Sequence, residues 1–176
     1  MDHHDFARAL RHRDSGEVVD VAKVWPLLNG FFDSEMHRQY PIAGSPEAMR
    51  ELAAHADVVV LTNLLDHRRE NRARQLADHG IAVRVFTNQG PKGPALQRIL
   101  DEYRPSRAVF IDDLAQHHDS VAGIAPQVAR LHLCGEPLLA PHIPCAHGAG
   151  HAHARIDDWA SALPWLLERL YDEEGN

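Results

Sequence analysis

VVVLTN at residues 58–63 is an apolar, mostly β-branched run that ends in two small polar residues. A second run of this kind, VFIDD at residues 109–113, ends in two adjacent carboxylates. Continuous apolar runs of this length are typical of strands that are covered on both faces of a parallel sheet. Ligands bind at the carboxyl ends of such strands, so the polar residues that end the two runs are predicted to share a site.

Strand-like and helix-like patterns alternate over residues 41–176. Apolar strands are predicted at 58–61, 83–86, 107–111 and 128–133, with amphipathic helices between them and after the last. This alternation indicates βαβ units, a parallel sheet and helices on both of its faces. The predicted fold class is therefore α/β, with a three-layer core at 41–176.

The predicted strand at 128–133 differs from the other three because polar and apolar residues alternate in it. Arg130 and His132 fall on the face opposite Leu131 and Leu133. Alternation of this kind is typical of a strand with one face in water. We therefore predict that this strand lies near an edge of the sheet.

Residues 1–40 carry apolar and aromatic side chains at spacings of three and four residues. This spacing is typical of amphipathic helices. A helical interruption is predicted near Asn29 and Gly30, because glycine weakens a helix. The segment is predicted to form a helical region that precedes the α/β core.

The composition narrows the class of protein. The 176 residues carry a formal net charge of −7. This charge argues against a nucleic-acid partner, because a protein that binds nucleic acid needs a basic face. No apolar run approaches the ~20 residues that cross a membrane, and no apolar leader follows Met1. The two cysteines make no disulfide framework, so a cytoplasmic protein of one domain is predicted.

Asp112 and Asp113 are the candidate metal ligands. Two carboxylates this close repel each other unless a cation or a proton compensates their charge. Mg²⁺ prefers one or two carboxylates together with phosphate oxygens and water. The alternative interpretation is a helix N-cap with a second acidic residue in the first helical turn.

Thr62, Asn63 and Lys92 are the candidate phosphate ligands. Thr62 offers a hydroxyl and Asn63 a backbone N–H, while Lys92 lies between two glycines shortly before a predicted helix. An ammonium beside a helix N-terminus can hold a phosphate. The alternatives are an ordinary turn at the end of a strand and a solvated loop lysine.

Taken together, these fragments resemble motifs II, III and IV of the haloacid dehalogenase (HAD) superfamily. The fragments are a strand ending in Thr62-Asn63, then Lys92, then a strand ending in Asp112-Asp113 with Asp119 six residues further on. The resemblance covers about residues 45–133 and implies a HAD-like Rossmannoid sheet. Receiver domains of two-component signalling use similar residues, but their acidic pair comes first in the chain and their lysine last.

The resemblance implies a role for each of these residues. Thr62 would bind the transferring phosphoryl group, Lys92 would neutralise it, and Asp113, helped by Asp112, would hold Mg²⁺. Asp119 would be a supporting acidic position. The implied activity is Mg²⁺-dependent hydrolysis of a small phosphorylated molecule through an aspartyl-phosphate, and residues 1–40 would be a remnant of the helical cap.

The nucleophile motif of that superfamily is missing. HAD phosphatases begin with a strand that ends in Asp-x-Asp, whose first aspartate attacks phosphorus. The weak candidate here is Asp20, which is followed by Ala22 where the second aspartate belongs. Two hypotheses remain open: a natural protein that extends before Met1, and a shortened, non-catalytic pseudoenzyme or scaffold.

The missing first strand has a structural consequence. In the superfamily it is central, so its loss would leave the strands at 58–61 and 109–111 with unpaired inner edges. Unpaired edges invite association with another chain. We therefore expect possible self-association through these edges.

A histidine-rich segment follows the last predicted strand. It contains several groups that bind Zn²⁺ or Ni²⁺ well, namely His142, Cys145, His147, His151 and His153. Their spacing matches no zinc motif, and prolines and glycines surround them. A flexible surface loop is the alternative to a metal site at this segment.

Overall fold

The computed structural model describes residues 10–171 and divides the chain into two compact units. The first unit comprises Met1–Gln39 and the second comprises Tyr40–Asn176. None of the helices within the described residues combines the length and apolar character needed to cross a bilayer.

The first unit is built around one helix. Helix α1 spans Val21–Glu35 and is followed by a 3₁₀ turn at Met36–Arg38. It runs unbroken through Gly30, so the predicted interruption is wrong. A single internal glycine costs a helix only about 1 kcal/mol, and apolar packing at Val24, which is fully buried, offsets a cost of this size.

The second unit alternates strands and helices, which confirms the α/β prediction. Its strands are β1 Val59–Thr62, β2 Arg84–Thr87, β3 Val109–Asp112, β4 Ala129–His132 and β5 Ala154–Arg155. Its helices are α2 Ser45–Ala53, α3 Arg69–Asp78, α4 Gly93–Tyr103, α5 Ala115–Ile124 and α6 Trp159–Tyr171. Short 3₁₀ turns lie at Asp66–Arg68 and Ala140–His142.

Two apolar clusters join the helices to the strands. One cluster combines β4 with α2 and α6, through Leu52, Leu131, Leu133, Ala162 and Leu166. The other combines β3 with α4 and α5, through Leu96, Phe110, Val121, Ala125 and Val128. The strands therefore lie between two helical layers, and burial of this apolar surface is the main favourable term for the fold.

The strands form two separate parallel sheets. One has the order β1-β2 and the other has the order β3-β4-β5. Apolar contacts still connect them, because Leu61 of β1 packs on the cluster that contains Phe110 of β3. Within residues 10–171, no strand is hydrogen-bonded between β1 and β3.

Among the described residues, no strand pairs with the inner edges of β1 and β3. The Thr62 carbonyl oxygen faces β2, where it accepts the Asn88 N–H at 2.9 Å. Backbone groups of successive residues in a strand alternate between its two sides. Val59 and Leu61 therefore turn their N–H and C=O groups away from β2, towards the side without a strand.

Strand β4 lies next to the edge strand β5, as predicted, but the predicted water-facing side of β4 is wrong. This strand lies between β3 and β5, and its polar side chains are buried, with Arg130 7% and His132 0% exposed. The Arg130 guanidinium donates to the carbonyl oxygens of Pro126 at 2.9 Å and His151 at 2.7 Å. The polar side chains of β4 are therefore buried, where they donate hydrogen bonds to backbone carbonyl oxygens. The alternation does not indicate a face in water.

Gly93, the first residue of α4, lies close to Ser120 of α5. A Cβ atom at this position would overlap the Ser120 carbonyl oxygen and lie 2.7 Å from the Ser120 Oγ. We expect Gly93→Ala to lower the free energy of unfolding by about 1–3 kcal/mol, because the two helices must separate. Urea denaturation followed by circular dichroism measures the change.

Gly123 of α5 provides the control. A Cβ atom there would meet no atom within 4 Å, so Gly123→Ala should leave the stability unchanged or raise it by up to about 1 kcal/mol. Equal effects of the two substitutions would contradict the close helix contact.

Candidate functional site

The centre of the candidate site is an ion pair between Lys92 and Asp112. The Lys92 Nζ lies 2.6 Å from the Asp112 Oδ2, and the two side chains are only 13% and 3% exposed. The other carboxylate oxygen, Oδ1, accepts the Leu114 N–H at 2.9 Å. The sequence predicted both residues as ligands of one site, and the structure shows that their side chains contact each other directly.

Asp113 is the carboxylate beside this pair. The protein packed around it removes water from its carboxyl, and this desolvation raises the pKa of Asp113 above its ordinary value. The negative charge of Asp112 raises it further, while Lys92 lowers it only in part. The pair of adjacent carboxylates therefore carries charge that one ammonium does not fully compensate.

The carboxylates fit the ligand preference of Mg²⁺. Their oxygens are hard donors, and a divalent cation would relieve the repulsion between Asp112 and Asp113. Across residues 10–171, no three His, Cys, Asp or Glu side chains are grouped so that they could hold an ion by themselves. An ion at this position would take its remaining ligands from water and phosphate, as Mg²⁺ commonly does.

His117 of α5 faces the same carboxylates. It is 6% exposed, and its Nδ1 has no hydrogen-bond partner among the described residues. Burial lowers the pKa of His117, although the charges of Asp112 and Asp113 act in the opposite direction. A neutral imidazole therefore borders the site at neutral pH.

Asn63 holds the loop that carries Lys92. Its Nδ2 donates to the Gly90 carbonyl oxygen at 2.9 Å, and its Oδ1 accepts from the Asn88 Nδ2 at 3.1 Å. The Asn88 amide also lies 3.2 Å from the Pro91 carbonyl oxygen. Gly90 has a φ of 97°, which a side chain would strain. The Asn63 side chain therefore supports the loop.

Thr62 occupies the last position of β1. It is half-buried and pairs in register with Thr87 at the end of β2. Asp112 likewise ends β3 and pairs with His132 of β4. Thr62 and Asp112 thus lie at the carboxyl ends of their strands.

Two other candidates make contacts of their own. Asp119 has a side chain that is 68% exposed, and its Oδ1 lies 3.5 Å from the His151 Nε2. Asp20 belongs to the first unit, where its Oδ1 accepts the Ala22 N–H at 3.0 Å and so caps α1. The geometry of Asp20 is that of a helix cap.

The histidine-rich segment packs against β4 and β5, with its histidines turned to different partners. The His147 Nδ1 lies 3.0 Å from the Ala152 carbonyl oxygen, and the His153 Nδ1 accepts the Arg130 N–H at 2.9 Å. Cys145 accepts the Gly148 N–H at 3.3 Å, and this contact, with the nearby Arg155 guanidinium, lowers the pKa of its thiol. These side chains do not converge on one metal site.

Sequence reasoning missed three residues that build the site. Asn88 follows β2 as Asn63 follows β1, and the repeated Thr-Asn dipeptide at the ends of neighbouring strands is a signal that could have revealed it. His118 and His132 are completely buried and contact the backbone of the carboxylate pair. No local pattern distinguishes them from surface histidines.

Comparison with known proteins supports the fold. The chain is similar to a protein from Burkholderia xenovorans LB400 that is described as a haloacid dehalogenase-like hydrolase, with a TM-score of 0.55 and 16% sequence identity. The similarity covers 79% of this chain and 65% of that one, and it confirms the predicted HAD-like α/β fold. No protein-family model and no curated protein matches the sequence.

The ion pair at the centre of the site should be important for stability. Lys92→Met leaves the Asp112 carboxylate buried without its cation, so we expect the free energy of unfolding to fall by about 3–5 kcal/mol. Chemical denaturation at neutral pH measures this loss.

Glu102→Gln is the matched control. It breaks an ion pair with Arg84 whose side chains are about half exposed, and should cost less than about 1 kcal/mol. A Lys92→Met variant as stable as Glu102→Gln would show that the buried pair adds nothing to stability.

Proposed function

We propose that this protein binds Mg²⁺ and a small phosphorylated molecule at the carboxyl ends of β1 and β3, in the manner of a phosphomonoester hydrolase. The observation that supports this most directly is the buried Lys92–Asp112 pair with Asp113 beside it. A hydroxyl, an ammonium and paired carboxylates follow parallel strands there, where α/β folds bind their ligands.

Each residue has a separate task in this proposal. Asp113 holds the cation, and the neighbouring Asp112 adds its negative charge. Thr62 donates a hydrogen bond to a phosphoryl oxygen, and Lys92 holds Asp112 in place while its charge faces the anion. When bound, Mg²⁺ supplies positive charge to the phosphoryl oxygens. Asn63 keeps the Lys92 loop in position through its contact with Gly90.

The charges indicate an order of binding. One ammonium and two carboxylates leave the group with a net negative charge, which repels a phosphate dianion. A divalent cation reverses the sign of the group, so phosphate binding depends on Mg²⁺. The proposed substrate class is a small phosphomonoester, as the resemblance to the HAD motifs implies.

A second candidate function is binding without hydrolysis. The sequence contains no Asp-x-Asp tripeptide, and its weak candidate nucleophile, Asp20, caps α1. Hydrolysis in two displacements needs an attacking carboxylate. A pseudoenzyme of this fold would retain Mg²⁺-dependent phosphate binding and lack turnover.

Isothermal titration with inorganic phosphate tests the shared part of both candidates. We expect phosphate to bind in the presence of Mg²⁺ and to show no measurable binding without it, because the site is otherwise net negative. Asp113→Asn should abolish the Mg²⁺-dependent binding. Asp101→Asn, at an exposed position of α4 bonded to Gln97 at 2.8 Å, should leave it unchanged.

Turnover of p-nitrophenyl phosphate separates the two candidates. Steady release of nitrophenol that requires Mg²⁺ and Asp113 would reject the pseudoenzyme. Phosphate binding without turnover would reject the hydrolase. Phosphate binding that is equally strong with and without Mg²⁺ would overturn the proposal itself.

We also propose that the protein self-associates through the unpaired edges of β1 and β3. The backbone groups of Val59 and Leu61 turn away from β2, and exposed edges pair readily with other strands. A second copy of this chain offers the same edges in return.

Analytical ultracentrifugation over a range of concentrations tests this association. We expect a mass above the monomer mass of 19.7 kDa that rises with concentration. Val59→Pro removes an edge N–H that makes no bond to β2, so it should give a monomer of nearly unchanged stability. Val60→Pro, whose N–H faces β2, should instead destabilise the fold. A wild-type protein that stays monomeric at high concentration would reject association.

A further inference from the structure

Two completely buried histidines contact the backbone of the carboxylate pair. The His118 Nε2 of α5 lies 3.0 Å from the Asp112 carbonyl oxygen, and the His132 Nε2 of β4 lies 2.9 Å from the Asp113 carbonyl oxygen. Both histidines are 0% exposed. A carbonyl oxygen only accepts hydrogen bonds, so each Nε2 donates a proton.

The second ring nitrogen of His132 fixes the state of this ring. Its Nδ1 accepts the N–H of Ala146 at 3.1 Å, so the ring is neutral with its proton on Nε2. Ala146 is itself completely buried. His132 therefore links the histidine-rich segment to the backbone of Asp113 through two consecutive hydrogen bonds.

Packing fixes the orientation of His118. Its ring lies 5.3 Å from the ring of Phe110 and 5.3 Å from the ring of His132, centroid to centroid. Its Nδ1 is buried without a hydrogen-bond partner among the described residues, and burial lowers the pKa of His118. A buried nitrogen without a hydrogen bond costs free energy. The hydrogen bond to Asp112 and the packing on Phe110 and His132 must therefore hold the His118 ring in this position.

The carboxylate pair needs such support because its two members repel each other. Asp112 is held through its side chain by Lys92 and the Leu114 N–H. Asp113 is held through its backbone, because its carbonyl oxygen accepts a hydrogen bond from the His132 Nε2. The direction of the Asp113 backbone therefore depends on this histidine.

We propose that His118 and His132 are positioning residues that hold the Asp112–Asp113 backbone so that the Asp113 carboxylate faces the cation. The proposal rests on the proposed function, because it assigns these histidines to the same metal site. It also gives the histidine-rich segment a role, since Ala146 orients the ring of His132. Partners that orient metal ligands typically change metal affinity 10–100-fold when they are removed.

Two isosteric variants of His132 test the proposal. Glutamine places an amide nitrogen near the position of Nε2 and can still donate to Asp113. Asparagine places its amide near Nδ1, so it can accept from Ala146 but does not reach Asp113. We expect His132→Asn to raise the Mn²⁺ dissociation constant at least about tenfold in a paramagnetic relaxation titration, with His132→Gln within a few-fold of wild type.

The corresponding His118 variants provide a second pair. His118→Gln keeps the donor to Asp112 and His118→Asn loses it, so the same contrast is expected if the His132 variants do not fold. His147→Asn is the control, because its ring contacts Ala152 and not the carboxylates. If the Asn and Gln variants lose Mn²⁺ affinity equally, or if neither loses any, the positioning role is overturned.

A second readout needs no metal. In ¹⁵N relaxation, the order parameter of the Asp113 amide should stay near the rigid value of about 0.85 in wild type and His132→Gln and fall clearly in His132→Asn. Wild-type protein that binds no Mn²⁺, with or without phosphate, would reject the proposed metal function. The order parameters would then still decide whether His132 holds Asp113. Equal values in His132→Gln and His132→Asn would reject this positioning role.

Discussion

Asp112 is hydrogen-bonded through every one of its side-chain and carbonyl oxygens. Its Oδ2 pairs with Lys92 and its Oδ1 accepts the Leu114 N–H, while its carbonyl oxygen accepts from the Leu133 N–H and the His118 Nε2. These partners belong to the loop before α4, the start of α5, the end of β4 and the body of α5. A buried carboxylate is tolerated only with such compensation, so the local order of the site depends on this one residue.

The full engagement of Asp112 leaves Asp113 as the carboxylate that can respond to a ligand. Its pKa is raised by desolvation and by the neighbouring charge, which Lys92 offsets only in part. One residue thus anchors the site and its neighbour carries the uncompensated charge. Adjacent positions in the chain have different roles because successive residues at the end of a strand point in different directions.

The split sheet shows how the fold tolerates a gap in its hydrogen-bond ladder. Among the described residues, backbone pairing stops between β1 and β3. Leu61 still packs on the cluster that contains Phe110, and Val58 and Val109 both pack on the cluster that contains Leu131. Apolar packing is non-directional and does not require strands to be bonded to each other. The helical layers therefore hold both sheets in one unit.

Sequence alone predicted four of the five strands and the helices between them, and it proposed the candidate site residues. It missed the two-residue strand β5. VVVLTN and VFIDD carry their strand signal in their own composition, and Lys92 is marked by the glycines and the helix that flank it. These signals depend on nearest neighbours and on helix or strand period, which the order of residues fixes. The HAD-like fold followed from the order of these fragments.

Only the tertiary structure decided which polar residues are buried and what they bind. The hydrogen-bond partners of His132 are Asp113, 19 residues away in the chain, and Ala146, 14 residues away. Without them, the polar residue in an alternating strand has the sequence pattern of a solvent-facing position. Asp119 shares the acidic pattern but turns to His151. A hydrogen bond between distant residues leaves no local trace, because its partners meet only after the layers have packed.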